Sequence, residues 1–168
     1  MATRTPSSTT RQGTSSGGAK IIRSEPGEGP GPDVMDAATL IGDDVVNAND
    51  EDLGKVEAIM LDVQSGRVAY AVLSFGGFLG MGSKLFAIPW SALTLDTEEE
   101  RFILDVPKEK LENAPGFDKD HWPSMADQSW ARDLHSYYDV SPYWEEDMSS
   151  ARDPRTSAGA AAKDRSGV

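Results

Sequence analysis

Residues 53–95, LGKVEAIMLDVQSGRVAYAVLSFGGFLGMGSKLFAIPWSALTL, constrain the fold more than any other stretch. From Val56 to Val63 apolar side chains fall on both parities, with Ile59, Leu61 and Val63 on one face and Val56, Ala58 and Met60 on the other. Gln64-Ser65-Gly66 then closes a hairpin, Gly66 supplying the positive φ that a short bulged loop needs. The return strand carries Val68, Tyr70 and Val72 on one side and Ala69, Ala71, Leu73 and Phe75 on the other. Apolar residues on both faces predict a central hairpin covered on both sides, which fits a closed or nearly closed small barrel. A glycine-rich loop leads to a further strand, Leu85 to Trp90, and Pro89 near its end belongs at an edge or a bulge.

Around this hairpin the remaining strands are short. Val45-Val46-Asn47-Ala48 is a first strand, and Asn49-Asp50-Glu51-Asp52 is a turn, because Asn and Asp bond their own backbone and tolerate left-handed geometry. Leu93 to Asp96 and Arg101 to Val106 flank the acidic turn Thr97-Glu98-Glu99-Glu100, a last hairpin, and Pro107 opens a short helix. Six strands with few helical intervals predict an all-β barrel domain over residues 35–113. Residues 1–34, rich in Ser, Thr, Gly and Pro, bury too little apolar surface to offset ordering entropy and read as a disordered arm. Within it only Ile21-Ile22 can dock, as a short edge strand. Residues 148–168 read as a disordered tail of the same kind.

Residues 114–147 differ in composition and predict a helical, aromatic-rich extension. Ser124-Met125-Ala126-Asp127 has the spacing of a capping box. Trp130, Leu134 and Tyr137 or Tyr138 then recur on one helical face, followed by Tyr143 and Trp144. Exposed, such aromatics form protein-binding hot spots. Folded back, they bury against the outer face of the barrel, which the sequence favours because each large side chain buried stabilises by roughly 1.5–3 kcal/mol. The same helix can cover the barrel of a second copy, giving a swapped homodimer.

Charge and composition exclude several functions. With 16 Lys+Arg against 28 Asp+Glu, a net charge of -12, direct nucleic-acid binding is disfavoured, since phosphate recognition needs clustered cations. Cysteine is absent, so disulfides, thiolate catalysis and Cys-based metal sites are excluded. No run approaches the ~18–20 apolar residues of a spanning helix, and the N-terminus lacks an apolar signal core. The expectation is a cytoplasmic protein with no transmembrane segment, peripheral association with a membrane complex staying open through a partner.

No motif carries chemistry convincingly. Gly77-Phe78-Leu79-Gly80-Met81-Gly82-Ser83-Lys84 nearly spells a phosphate loop, but Ser precedes Lys and the segment joins two strands rather than opening a helix. Its glycines suit a wide hairpin from which Phe78, Leu79 and Met81 project as a contact patch or fold over the barrel mouth. Asn47, Asn49 and Glu51 alternate as in a calcium loop, yet Asp52 and Ala58 stand where Gly and Glu are required. His121 and His135 are the only histidines, and no zinc-ligand set or nucleophile-base order accompanies them. The expectation is a non-enzymatic chain with no cofactor and an unidentified protein partner.

Several motifs resemble the PRC-barrel family: Leu40-Ile41-Gly42, Leu53-Gly54-Lys55-Val56, Leu61-Asp62-Val63 before Ser65-Gly66, Arg67 to Val72, Phe75-Gly76-Gly77-Phe78-Leu79-Gly80, and Ala87-Ile88-Pro89-Trp90 with Leu93. Gly54, Asp62, Gly66, Gly76, Gly77, Gly80, Pro89 and Trp90 are the structural markers of that resemblance. Trp122-Pro123 and the tract from Trp130 to Trp144 are similar to the tail of stand-alone bacterial members. The resemblance implies a small six-stranded barrel acting as an adaptor, stress-related or housekeeping. Related barrels form the cytoplasmic part of the membrane-anchored heavy subunit of the purple bacterial photosynthetic reaction centre, and half of a ribosome maturation factor. A photosynthetic electron- or proton-transfer role, a ribosome or RNA-processing role, or a small-ligand site near Phe78 and Trp90 are the alternatives. Neither the anchor helix of the reaction-centre protein nor the N-terminal barrel of the ribosome factor is expected from these residues, so neither function carries over on the resemblance.

Overall fold

Backbone pairing in the computed structural model, which describes residues 18–22, 34–76 and 84–145, gathers seven strands into one sheet. In chain order the elements are β1 (Lys20–Ile22), α1 (Ala37–Leu40), β2 (Asp44–Val46), β3 (Asp52–Asp62), β4 (Arg67–Phe75), β5 (Lys84–Pro89), β6 (Leu93–Asp96), β7 (Arg101–Leu104), α2 (Lys108–Glu112) and α3 (Gln128–Tyr137). In space the strands run β1-β6-β7-β2-β3-β4-β5. Only the β1–β6 and β2–β7 pairs are parallel. The all-β class expected from the sequence is the class observed. Most of the arm and all of the tail expected to be disordered lie outside the described residues.

Local chemistry explains the central hairpin. Asp62 accepts hydrogen bonds from the N–H groups of Gln64 (3.0 Å) and Ser65 (3.3 Å), and Gly66 closes the turn at φ 72° with its N–H on the Asp62 carbonyl. Register shifts beside Val56 and beside Met60 bend the two strands about each other. Gly54 stands at φ 107°, and a Cβ there would lie 2.1 Å from the Ser74 carbonyl oxygen, so β3 and β4 can approach only through glycine. The first strand of the expected barrel ends at Val46 instead of reaching Ala48. Asn47 terminates it, its Oδ1 accepting from the N–H groups of Asn49 and Glu51 while Nδ2 donates to the Glu51 carboxylate at 2.6 Å. These bonds satisfy a side chain that is only 3% exposed.

Core side chains come from every barrel strand: Val45, Leu53, Val56, Ala71, Leu73, Phe86, Ile88, Leu93, Phe102 and Leu104, joined by Leu111 of α2. Residues 69–73 of β4 are all buried, as expected of a strand covered on both faces. The far end of β3 departs from that expectation. Leu61 is 60% and Val63 90% exposed, where β3 runs into the turn just past the register shift beside Met60.

Closure is the second departure. The sheet stays open, with β1 and β5 as its edges rather than a six-stranded ring. A 3-10 turn at Trp90–Ala92 carries the chain from β5 to β6, but β6 pairs with β7 on one side and β1 on the other. Pro89, which has no N–H to donate, accordingly sits at the end of an edge strand. Elsewhere along β5, Leu85 exchanges two 2.8 Å backbone hydrogen bonds with Phe117, so a segment after α2 caps that edge.

Candidate interaction surfaces

Asp127, not Ser124, caps α3, which corrects the capping-box expectation. Its carboxylate accepts from the N–H groups of Ser129 (2.8 Å) and Trp130 (3.2 Å), and those bonds with the Ser129 hydroxyl hold it below the usual carboxylate range. Ser124 instead offers its carbonyl to the Asp127 N–H. The helix then turns Ala131, Leu134 and His135 inward, with Tyr138 just beyond its end.

Tyr70 of β4 is the barrel's contribution to this contact. Its ring lies 5.5 Å from that of Trp130 and 5.8 Å from His135, both edge-on. Burial pushes the Tyr70 phenol well above its ordinary range. His135 is 1% exposed; its Nδ1 sits 2.7 Å from the Ala131 carbonyl oxygen, so the tautomer with hydrogen on Nδ1 fits, and Nε2 is buried without a hydrogen-bond partner. Trp144 packs 5.2 Å from the imidazole and Tyr143 6.2 Å, which closes an aromatic cage over it. Burial, opposed by the Ala131 carbonyl and Glu145, holds His135 below its ordinary pKa.

Polar contacts pin the rest of the tract. The Tyr143 hydroxyl donates to Asp62 at 3.2 Å, and Arg67 donates to the Tyr143 carbonyl at 2.8 Å. Tyr137 donates to the Lys110 carbonyl at 2.6 Å, and Lys110 pairs with Asp139 at 3.0 Å. Thus Trp130, Tyr137, Tyr143 and Trp144 pack against the core, and Tyr138 is 5% exposed. The structure places the aromatic tract on the barrel rather than in solvent.

Of the other residues singled out, Gly77, Phe78, Leu79, Gly80 and Met81 lie outside the described residues. Gly54, Asp62 and Gly66 shape the β3–β4 hairpin, Gly76 follows β4 at φ 75°, and Trp90 meets Phe102 edge-on at 5.7 Å. Sequence reasoning missed the exposed pair Leu61 and Val63. The available signal was their position beside the Gln64-Ser65-Gly66 turn. Trp122, 43% exposed, packs at a tilt against Phe117 at 5.0 Å and donates to the Lys119 carbonyl. A cleft of about 220 Å³ is lined by Met35, Thr39, Leu40, Asp43, Leu95, Thr97 and Glu100. Burial and then the Glu100 charge raise the Asp43 carboxyl there.

Among the described residues, no group of three or more His, Asp or Glu is placed to hold a metal ion, and no helix is long and apolar enough to cross a membrane. Residues 32–111 match the family model described as the PRC-barrel domain. No curated protein matches the chain. The matched span runs from just before α1 into α2, so β1, the Phe117 cap and α3 all come from outside it.

Proposed function

A PRC-barrel domain occupies residues 32–111 of this chain, and from that premise we propose that the protein is a non-enzymatic module for protein interaction and assembly. The observation that carries this reading is the end of the β3–β4 hairpin, where Leu61 and Val63 stand 60% and 90% exposed. Their backbone is rigid, since Asp62 between them holds the turn and also accepts from Tyr143. An aliphatic pair presented on a fixed hairpin supplies apolar contact at little ordering cost, which is what a binding surface needs. Asp96 and Asp127 accept backbone N–H bonds at a turn and a helix cap.

The test is capture of partners from the native host with tagged full-length protein, comparing wild type with the Leu61→Ser, Val63→Ser double variant. Such exposed substitutions change folding stability by only about ±0.5 kcal/mol each, so the fold is retained. The expected result is a partner recovered with wild type and lost with the variant. Equal recovery with both proteins would sink the hairpin as the binding surface.

A further inference from the structure

Resting on that interaction-module reading, we propose that the outer edge of β6 is a strand-acceptor site. Its ligand is an extended segment of a partner protein, an aliphatic pair followed by a basic residue, and Lys20–Ile22 fills the site in cis.

Three observations converge on this. First, β1 is a separable piece: it lies outside the matched domain, and eleven residues of sequence stand between Ile22 and Val34. Second, its attachment is largely backbone. Lys20, Ile21 and Ile22 align parallel to Thr94, Leu95 and Asp96, and the Thr97 N–H and hydroxyl both donate to the Ile22 carbonyl, at 3.2 and 3.1 Å. Of the side chains only Ile21 is half-buried, opposite Leu95, while Lys20 and Ile22 are exposed. An edge that binds through main-chain bonds and one aliphatic contact accepts any segment of matching pattern.

Third, charge selects the residue after the pair. β6 ends on Asp96, and the turn after it carries Glu98, Glu99 and Glu100. Thr97, which holds the C-terminal end of β1, also lines the cleft with Asp43 and Glu100. A cation after the aliphatic pair complements that acidity, and in this chain's own sequence Arg23 follows Ile21-Ile22. The opposite edge is paired at Leu85 by Phe117, a residue that lies outside the matched domain but is not tethered as a separate strand. A tethered strand competes at an effective concentration on the order of millimolar, so the cis segment sets the threshold a partner must exceed.

The experiment uses a fluorescein-labelled peptide, Gly-Ala-Lys-Ile-Ile-Arg, copying residues 18–23, titrated by anisotropy against full-length protein. Wild type is compared with Ile21→Asp, which places a charge opposite Leu95 and weakens the cis strand. The expected result is at least about tenfold tighter binding to the variant. A peptide with Glu in place of its arginine should bind at least several-fold more weakly. Equal affinity for the two proteins, no binding to a variant whose circular dichroism is native, or indifference to the peptide's charge would overturn the proposal. If the variant does not fold, wild-type amide spectra decide: displacement of β1 by excess peptide moves the Ile22 and Thr97 signals, and unmoved signals overturn it. Failure here leaves the Leu61/Val63-dependent capture standing, whereas loss of that capture alone removes the hairpin and not this edge.

Discussion

Gly54 and Gly66 both sit at positive φ within the β3–β4 hairpin, yet a methyl group would meet very different surroundings at the two positions. At Gly66 nothing lies within 4 Å of the added carbon, so replacement by alanine costs only left-handed strain, about 1 kcal/mol. At Gly54 the same carbon would stand 2.1 Å from the Ser74 carbonyl, in addition to φ 107°. Gly54→Ala should therefore lose at least about 2–3 kcal/mol more in urea unfolding than Gly66→Ala, since the strands must separate to admit it. Comparable losses for the two variants would show that β3 and β4 yield there. Glycine at both positions was legible in the sequence; the reason for Gly54 was not, because the close approach involves a residue twenty positions away.

Helix α3 acts as a cover whose attachment depends on pH. Its buried face packs Trp130 and His135 on Tyr70, and His135 is neutral there because burial holds its pKa below the ordinary 6.5. Above that value neither folded nor unfolded chain binds the proton, and stability is at its full value. Below it the unfolded chain takes up a proton that the folded chain refuses, so stability falls by up to ~1.4 kcal/mol per pH unit until the folded imidazole also titrates. Tyr70 of β4, with Tyr143, Trp144 and Glu145 after the helix, surrounds the ring, and only Glu145 among them offsets a positive charge. Urea denaturation between pH 7.5 and 5.5 should show this decline, and His135→Phe should flatten it. An equal slope in the variant would assign the acid sensitivity to other groups. The helix and its aromatic face were readable from the i, i+4 spacing. Its cap was not, since Ser124 and Asp127 both suit that role and only the chain path after Pro123 selects Asp127.

Across the whole molecule, segments on both sides of the matched domain complete it: β1 on the β6 edge, Phe117 on the β5 edge, and α3 on the outer face of β4. A cover that shares Tyr70, Leu85 and Asp62 with the barrel should unfold together with it. Tryptophan fluorescence, dominated by Trp122, Trp130 and Trp144 of the extension with Trp90 in the barrel, should follow the same denaturation curve as far-ultraviolet circular dichroism. A fluorescence transition at distinctly lower denaturant would instead mean that the extension detaches first. The amino-acid sequence alone determined the all-β class, the hairpin with its turn, the edge position of Pro89 and the aromatic face of α3, because each follows from periodicity or turn chemistry within a few residues. Tertiary structure alone decided that the sheet stays open, that Lys20–Ile22 joins it parallel to β6, that His135 is sealed beneath Tyr143 and Trp144, and that Leu61 and Val63 remain outside. Those outcomes depend on which distant segment packs best on an edge or face and how far its cover extends, and no local pattern encodes contacts between residues so far apart in sequence.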